Sequence, residues 1–359
     1  MKNKIIYFIP DLSTNGGIQE LAKSIYSELG SRFNFEIFDW SDDLWFPTKV
    51  ILRRFPRKIG AYLFTHIFST HFKRKYKITE GTLVHFWVIE SAMSFLDKKF
   101  VVMCYGKEIL SKNVKGYRRE LYQKVLDNAL LIYADSNYAK KLIIENFKIS
   151  SRRIKIVYPP ISFNKFSQVN KLKNSKLIIG TLTRFVKRKN VPNIIRSLNM
   201  VKEKYNLDFT YYLAGNGPEK KKILRELKKA KFEWKYFGEI SEHDKINKFY
   251  PSLDIFVMPP LELPDDVEGF GIVYLEANAY GIPVVASRTG GVPDAVKEGI
   301  SGVFADPTNP EDIAIKIVNL LRNKDKYYKS SINWAKEFDV KWIANEFAEL
   351  YIELGKIKR

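Results

Sequence analysis

The chain holds one cysteine, Cys104, in 359 residues. A single thiol excludes a disulfide framework and a cysteine-built zinc site, since each needs at least two. Histidine is nearly as scarce: His66, His71, His85 and His243 show no HxxxH-type pairing, which argues against a histidine-built metal centre. Acidic residues are few beside basic ones, 40 Asp and Glu against 60 Lys and Arg, for a net charge of +20. No run approaches the ~18–20 apolar residues of a membrane span. Lys2 and Lys4 precede only the apolar stretch Ile5–Pro10, which is shorter than the core of a signal peptide. These absences predict a soluble or peripheral chain, and one free thiol fits the cytoplasm.

What is present is core-forming. An apolar fraction of 45%, with 25 Phe, 20 Tyr and 6 Trp, excludes a disordered chain. At roughly 100–200 residues per domain the length predicts two domains. The surplus of positive charge calls for an anionic partner: nucleic acid, an acidic membrane surface or a phosphorylated small molecule. Lysine-rich solubility is the alternative, and charge alone does not choose.

Ile5–Ile9 reads as a buried parallel strand, followed by a loop containing Asn15-Gly16-Gly17 and an amphipathic helix from Ile18 to Leu29. Strands are predicted at 33–40, 81–88, 99–105, 130–134 and 154–157, with helices over 117–128 and 137–147. Residues 167–176, SQVNKLKNSK, are polar and read as a linker. The alternation then restarts, with strands at 177–182, 209–214, 234–237, 255–258 and 283–287. Helices are predicted over 191–205, 219–230, 273–280, 310–321 and 334–354. Strands alternating with helices imply two doubly wound parallel sheets, hinged near 161–176, which bind ligands beyond the carboxyl ends of their strands.

Four constellations could carry chemistry. In Glu268-Gly-Phe-Gly-Ile-Val-Tyr-Leu-Glu276, a glycine loop becomes a helix near Ile272, and Gly269 and Gly271 let backbone N–H groups approach an anion. The alternative is a first-turn Glu268 and a solvated Glu276. Gly180-Thr-Leu-Thr-Arg184-Phe-Val-Lys187-Arg188-Lys189-Asn190 follows the first strand of the second half, where cations suit a diphosphate. A solvated basic loop is the alternative, and it suits Lys187 and Arg188 better than Arg184. Gly16 and Gly17 match no GxGxxG fingerprint and could be a plain strand-to-helix turn. Ala214-Gly215-Asn216-Gly217-Pro218 and Phe237-Gly238-Glu239-Ile240 could hold a nucleoside base or be turns alone.

In this order and spacing, Gly16-Gly17, Tyr158-Pro-Pro, Arg184 with Lys189, Gly215-Asn216-Gly-Pro, Phe237-Gly238, the Glu268-x7-Glu276 pair and Gly290-Gly-Val-Pro-Asp294 followed by Gly302 resemble the retaining glycosyltransferases of family 4. The resemblance spans nearly the whole chain and is densest from 178 to 310. It implies an α/β GT-B fold, with two Rossmann-like domains facing across a cleft. The implied division is an acceptor-binding domain (1–166), a linker (167–176), a donor-binding domain (177–333) and a carboxyl-terminal helix (334–359) that packs back on the first domain.

The resemblance also implies a UDP- or GDP-sugar donor, a front-face reaction with retention, and no metal or other cofactor. Arg184 and Lys189 would grip the diphosphate and Glu268 the transferred sugar. Glu276 would contact the ribose, and Ile240 would lie near the base. Gly215, Asn216, Gly269, Phe270 and Gly271 would offer backbone contacts, and Gly16 and Gly17 would close on the phosphate. Tyr105, in Tyr105-Gly-Lys-Glu108, stands where many members carry His-Gly; a phenol donates to a sugar hydroxyl but is no cationic imidazole. The 259–267 segment looks longer than the loop usual there, and either shapes donor-sugar choice or is a surface insertion.

The acceptor is the second question. Residues 44–79 hold nine Lys or Arg and no Asp or Glu, interleaved with aromatics. Arg53, Arg54, Arg57 and Lys58 flank an aromatic-apolar face suited to an anionic bilayer, the alternative being an amphipathic helix packed on the sheet. This predicts a lipid-linked saccharide, or a glycolipid or polysaccharide, as acceptor and a peripheral location at the inner face of the cell membrane. A catalytically idle nucleotide-sugar-binding protein is one rival; a nucleic-acid-binding protein is the other, and no nucleic-acid motif is found.

Overall fold

A computed structural model describes residues 4–9, 17–39, 73–79, 81–167, 169, 171–172 and 174–355. The chain divides into two units, Met1–Pro159 with Val340–Arg359, and Pro160–Asp339.

The first unit is built on β1 (Lys4–Ile9), β2 (Asn34–Asp39), β3 (Leu83–Phe86), β4 (Phe100–Cys104), β5 (Leu131–Ala134) and β6 (Ile154–Ile156). They pair in the order β2-β1-β3-β4-β5-β6, every described pair parallel. A parallel sheet covered on both faces needs strands that are apolar on both sides, and Phe100–Cys104 is buried at every position. Helices α1 (Gly17–Leu29), α2 (Tyr117–Asn128) and α3 (Asn137–Phe147) connect β1 to β2, β4 to β5 and β5 to β6. α3 starts where Ser136 Oγ accepts from Ala139 N and stops where Lys148 turns left-handed, φ 57°.

The last helix, Val340–Gly355, belongs to this unit and lays Ile343, Phe347 and Tyr351 into the core beside Tyr7, Trp87 and Tyr133. Its polar anchor is a chain of three buried groups: Tyr7 OH lies 3.0 Å from Tyr351 OH, which lies 2.5 Å from His85 Nδ1.

The second unit is built on β7 (Leu177–Leu182), β8 (Phe209–Ala214), β9 (Glu233–Tyr236), β10 (Ile255–Val257), β11 (Val284–Ala286) and β12 (Gly302–Phe304), in the order β12-β11-β10-β7-β8-β9 and again parallel. Its helices include α4 (Val191–Tyr205), α5 (Lys220–Leu227), α6 (Ile272–Asn278) and α7 (Pro310–Lys336). α7 is capped by Asn309 Oδ1, which accepts from Glu311 N and Asp312 N.

Three expectations are corrected. β12 was not anticipated. The helix expected to end at Leu321 runs on to Lys336, so Trp334 closes α7 and the last helix begins at Val340. The supposed linker is fastened to the second unit, for Leu172 N donates to Pro251 O, Asn174 Nδ2 donates to Ser252 O, and Lys171 pairs with Asp254. The division falls earlier, at Pro159-Pro160.

Burial holds the His85 imidazole down at about 3, far below its ordinary 6.5. The unfolded chain therefore binds a proton below pH 6.5 that the folded unit refuses. Stability that is full above pH 6.5 falls by about 1.4 kcal/mol per pH unit as pH drops towards 3. Urea unfolding of the first unit's transition should show about 2 kcal/mol lost to this group at pH 5 relative to pH 7, and His85→Gln should remove that part of the slope.

Candidate active site

β7 positions the first half of the site. Its apolar run is buried, and Gly180 lies so close to the neighbouring chain that a Cβ would stand 2.4 Å from Leu253 Cδ1. Beyond the strand, Phe185 is fully buried, and residues 187–189 form one 3₁₀ turn that ends at Asn190 with φ +59°. The Asn190 amide donates to Pro259 O at 3.1 Å and Pro307 O at 2.7 Å, pinning the basic loop to the segments after β10 and β12.

That turn directs Arg188 and Lys189 inward. The Lys189 ammonium, on a residue only 9% exposed, stands 2.5 Å from Glu268 Oε2 and 3.6 Å from Met258 Sδ. Arg188 Nη1 donates to the same Oε2, and its Nε lies 3.3 Å from Asp266 Oδ1. Arg184 is exposed, with no ion pair among the described residues. The structure thus reverses the expectation for Arg184, which reaches solvent, and for Arg188, which is enclosed, while Lys187 is exposed as expected. Arg188 was missed because three cations in a row carry no signal of which one points inward.

The glycine turn after β8 supports this loop from below. A Cβ on Gly215 would meet Thr183 O at 1.8 Å, and one on Gly217 would meet Phe185 O at 2.6 Å. Phe185 N donates to Asn216 O, and Gly215 N donates to Gly238 O. These glycines therefore have a packing reason. Ile240 is half-buried just before the turn at Glu242–Asp244.

Glu268 is itself 9% exposed. Burial pushes its carboxyl up, but the charges and hydrogen bonds of Lys189 and Arg188 outweigh that and hold it below the ordinary range. Burial pulls the Lys189 ammonium down, and Glu268 only partly restores it. The backbone is locked as well. Gly291 N donates to Glu268 O at 2.9 Å, and Gly290, at φ +53°, sits where a Cβ would be 2.2 Å from that oxygen. Gly269 is half-buried, Phe270 packs at 5.7 Å on Phe338, and Gly271, at φ +99°, opens α6 against the Tyr274 ring.

Glu276 is no solvated helix face. It is 6% exposed; its Oε1 accepts from Lys245 Nζ and its Oε2 from Tyr250 OH, both at 2.7 Å. Lys245 also pairs with Glu242 at 2.7 Å. Burial lowers the Lys245 ammonium, but the two carboxylates more than reverse this and raise it. Lys245 and Tyr250 were not anticipated, because their link to Glu276 crosses 31 and 26 residues and nothing local announces it.

Tyr105 belongs to the first unit and directly follows β4. Its N–H donates to Glu108 Oε1 at 2.5 Å, and its buried hydroxyl has no hydrogen-bond partner among the described residues. Burial pushes the Glu108 carboxyl up to about 7. Gly17 is the first residue of α1. Gly16, Arg53, Arg54, Arg57 and Lys58 lie outside the described residues.

The Glu276 cluster makes a quantitative demand. Removing one member of a buried ion pair costs about 3–5 kcal/mol, because the other charge is left without compensation. Lys245→Ala should lower the unfolding free energy of the second unit by that amount. The double change Lys245→Met with Glu276→Gln should recover most of it in denaturant titrations.

Three comparisons bear on this geometry. Residues 162–338 match the family model described as glycosyl transferases group 1. An uncharacterized glycosyltransferase of Methanocaldococcus jannaschii is 29% identical over 238 residues, 64% of this chain and 62% of its own length. A GDP-mannose-dependent alpha-(1-6)-phosphatidylinositol monomannoside mannosyltransferase of Mycolicibacterium smegmatis is 34% identical over 149 residues, 40% of this chain and 38% of its own. The chain thus spans less than two thirds of the length of either relative. Among solved structures, a glycosyltransferase from Rickettsia africae superposes with a TM-score of 0.72 at 18% identity, over 99% of this chain and 100% of that one. Anabaena HepE, solved with UDP and glucose, gives 0.70 at 16%, over 98% and 99%. At such identities these structures speak to the fold, which is GT-B with two Rossmann-like units. Residues 162–338, which cover nearly all of the second unit, are thus similar to the group 1 glycosyl transferases.

Proposed function

We propose that the chain is a retaining glycosyltransferase that moves a hexose from a UDP- or GDP-sugar to a lipid-linked saccharide at the inner face of the cell membrane. The observation that carries the reading is Glu268. It is a carboxylate kept ionised at the carboxyl end of a parallel sheet by Lys189 and Arg188, which stand on the loop after β7 that also presents the exposed Arg184. It lies in the segment that matches the family model.

The chemistry follows from the residue types. The bond between the anomeric carbon and the diphosphate oxygen breaks, and its electron pair leaves with the diphosphate. Positive charge grows on the sugar ring and negative charge on the leaving oxygen. Arg184 and Lys189 receive that leaving charge, joined by backbone N–H groups of Gly269, Phe270 and Gly271. The acceptor oxygen bonds the anomeric carbon on the face the diphosphate vacates, and its proton passes to the departing diphosphate. Glu268 holds hydroxyls of the transferred sugar and Glu276 the ribose. The reading calls on no metal ion.

Two observations support a membrane-bound acceptor. The first 170 residues carry 28 Lys and Arg against 15 Asp and Glu. In addition, one relative is named for a phosphatidylinositol mannoside acceptor. No helix among the described residues is long and apolar enough to cross a membrane, so the reading relies on peripheral docking through Arg53, Arg54, Arg57 and Lys58.

Turnover of a UDP- and GDP-sugar panel tests the assignment. Glu268→Ala and Arg184→Ala should each lose roughly 10²–10³-fold in rate; wild-type rates in both variants would refute it. Sedimentation with anionic vesicles tests the dock. Neutralising the four cations from Arg53 to Lys58 should abolish binding at moderate salt, and unchanged binding would remove that patch from the account.

A further inference from the structure

Resting on the glycosyltransferase reading, we propose that Arg188 is a positioning residue for Glu268 and that, through Asp266, it makes the 259–267 loop the selector of the donor sugar.

The first support is where Arg188 sits. Its neighbour Lys187 is exposed, whereas the Arg188 side chain is 16% exposed and lies between two carboxylates of one loop, Asp266 and Glu268, themselves 19% and 11% exposed. The guanidinium donates to Glu268 and stands in ionic contact with Asp266, without a hydrogen bond between them, so one rigid planar group links the two carboxylates, which a flexible lysine ammonium cannot do.

The second support is how the loop is fastened. Leu261 N donates to Arg188 O at 2.8 Å, and Asn190 Nδ2 donates to Pro259 O. Ser287 Oγ donates to Pro260 O at 2.6 Å, and Leu263 and Asp266 close a short antiparallel bridge. The segment is thereby bolted to the basic loop on one side and to the end of β11 on the other. A surface insertion would have no need of these ties. Asp266 completes them by reaching the same arginine that orients Glu268.

The third support is which oxygen is taken. Both cations converge on Glu268 Oε2, and Oε1 forms no hydrogen bond among the described residues. Oε1 is therefore the acceptor turned to the sugar, and Arg188 sets its direction. Lys189 and Arg184 deal with phosphate charge, so a change at Arg188 acts on the sugar and leaves the nucleotide alone. A change at Asp266 alters the loop's seat and so the ratio between competing sugars.

The experiment compares wild type, Arg188→Lys, Arg188→Ala and Asp266→Asn. Binding of UDP and GDP is read by thermal shift. kcat and KM are measured with UDP-glucose, UDP-galactose, UDP-N-acetylglucosamine and GDP-mannose. Nucleoside diphosphate affinity should stay within about twofold of wild type in every variant. Arg188→Ala should lose roughly 10²-fold in kcat/KM on the best donor, chiefly in kcat, as expected for a misplaced group near the reacting centre. Arg188→Lys should recover only part of it. Asp266→Asn should change the ratio of kcat/KM between the two best donors by about tenfold. Wild-type kinetics in both Arg188 variants would overturn the proposal, and so would an unaltered donor ratio in Asp266→Asn. A loss of nucleoside diphosphate affinity as large as the loss of kcat/KM would also overturn it, by showing general collapse. A wild-type chain that neither binds a nucleoside diphosphate nor turns over a donor would defeat the glycosyltransferase reading itself, and this inference with it.

Discussion

The carboxylate of Glu268, and the two cations that meet on its Oε2, hold the loops of the second unit in register. The turn after β7 supplies Lys189 and Arg188, the segment after β10 supplies Asp266 and Glu268, and the turn after β11 supplies Gly290 and Gly291 to fix the Glu268 backbone. Taking charges out of water costs several kcal/mol per ion, and only close pairing offsets it. Here two cations face two anions, so the quartet is close to neutral. Removing any one member leaves a net charge among the remaining three. That constraint explains why the basic loop is tethered by Asn190, and why the glycines beneath it leave no room for a side chain.

The neutral quartet also assigns the remaining charge. On the proposed function, a diphosphate entering this region would meet Arg184, which has no ion-pair partner among the described residues, and Lys189, which is already paired with Glu268. The two glutamates of the motif are held differently. Glu276 has both oxygens occupied, by Lys245 and Tyr250, and a ribose hydroxyl would share those oxygens. Glu268 has both cations on one oxygen. The same residue type, eight positions apart, is thus held through both oxygens in one place and through one in the other.

Much of the fold was legible because a parallel sheet covered on both faces demands continuous apolar runs, and β1, β4, β5, β7 and β8 show them. β12 was hidden because Gly302-Val-Phe304 is three residues long and starts with glycine. The continuation of α7 was hidden because its surface is polar beyond Leu321, through Arg322-Asn-Lys-Asp-Lys326. The burial of Ser331 and Ala335, with Trp334 Nε1 donating to Ala295 O and Ser330 Oγ to Ile300 O, shows what that stretch packs against. In the site, Glu268, Glu276 and Lys189 stood out by spacing. Arg188, Lys245 and Tyr250 did not, since what singles them out is a tertiary pairing or the phase of a single 3₁₀ turn.

The central claim is that Glu268 is directed at the sugar and not at the nucleotide. Calorimetric titration of wild type and Glu268→Gln with a nucleoside diphosphate, and with the matching nucleoside diphosphate sugar, tests it most directly. The account predicts that both proteins bind the bare diphosphate alike, and that only wild type gains affinity from the sugar. Equal losses for both ligands in Glu268→Gln would contradict it.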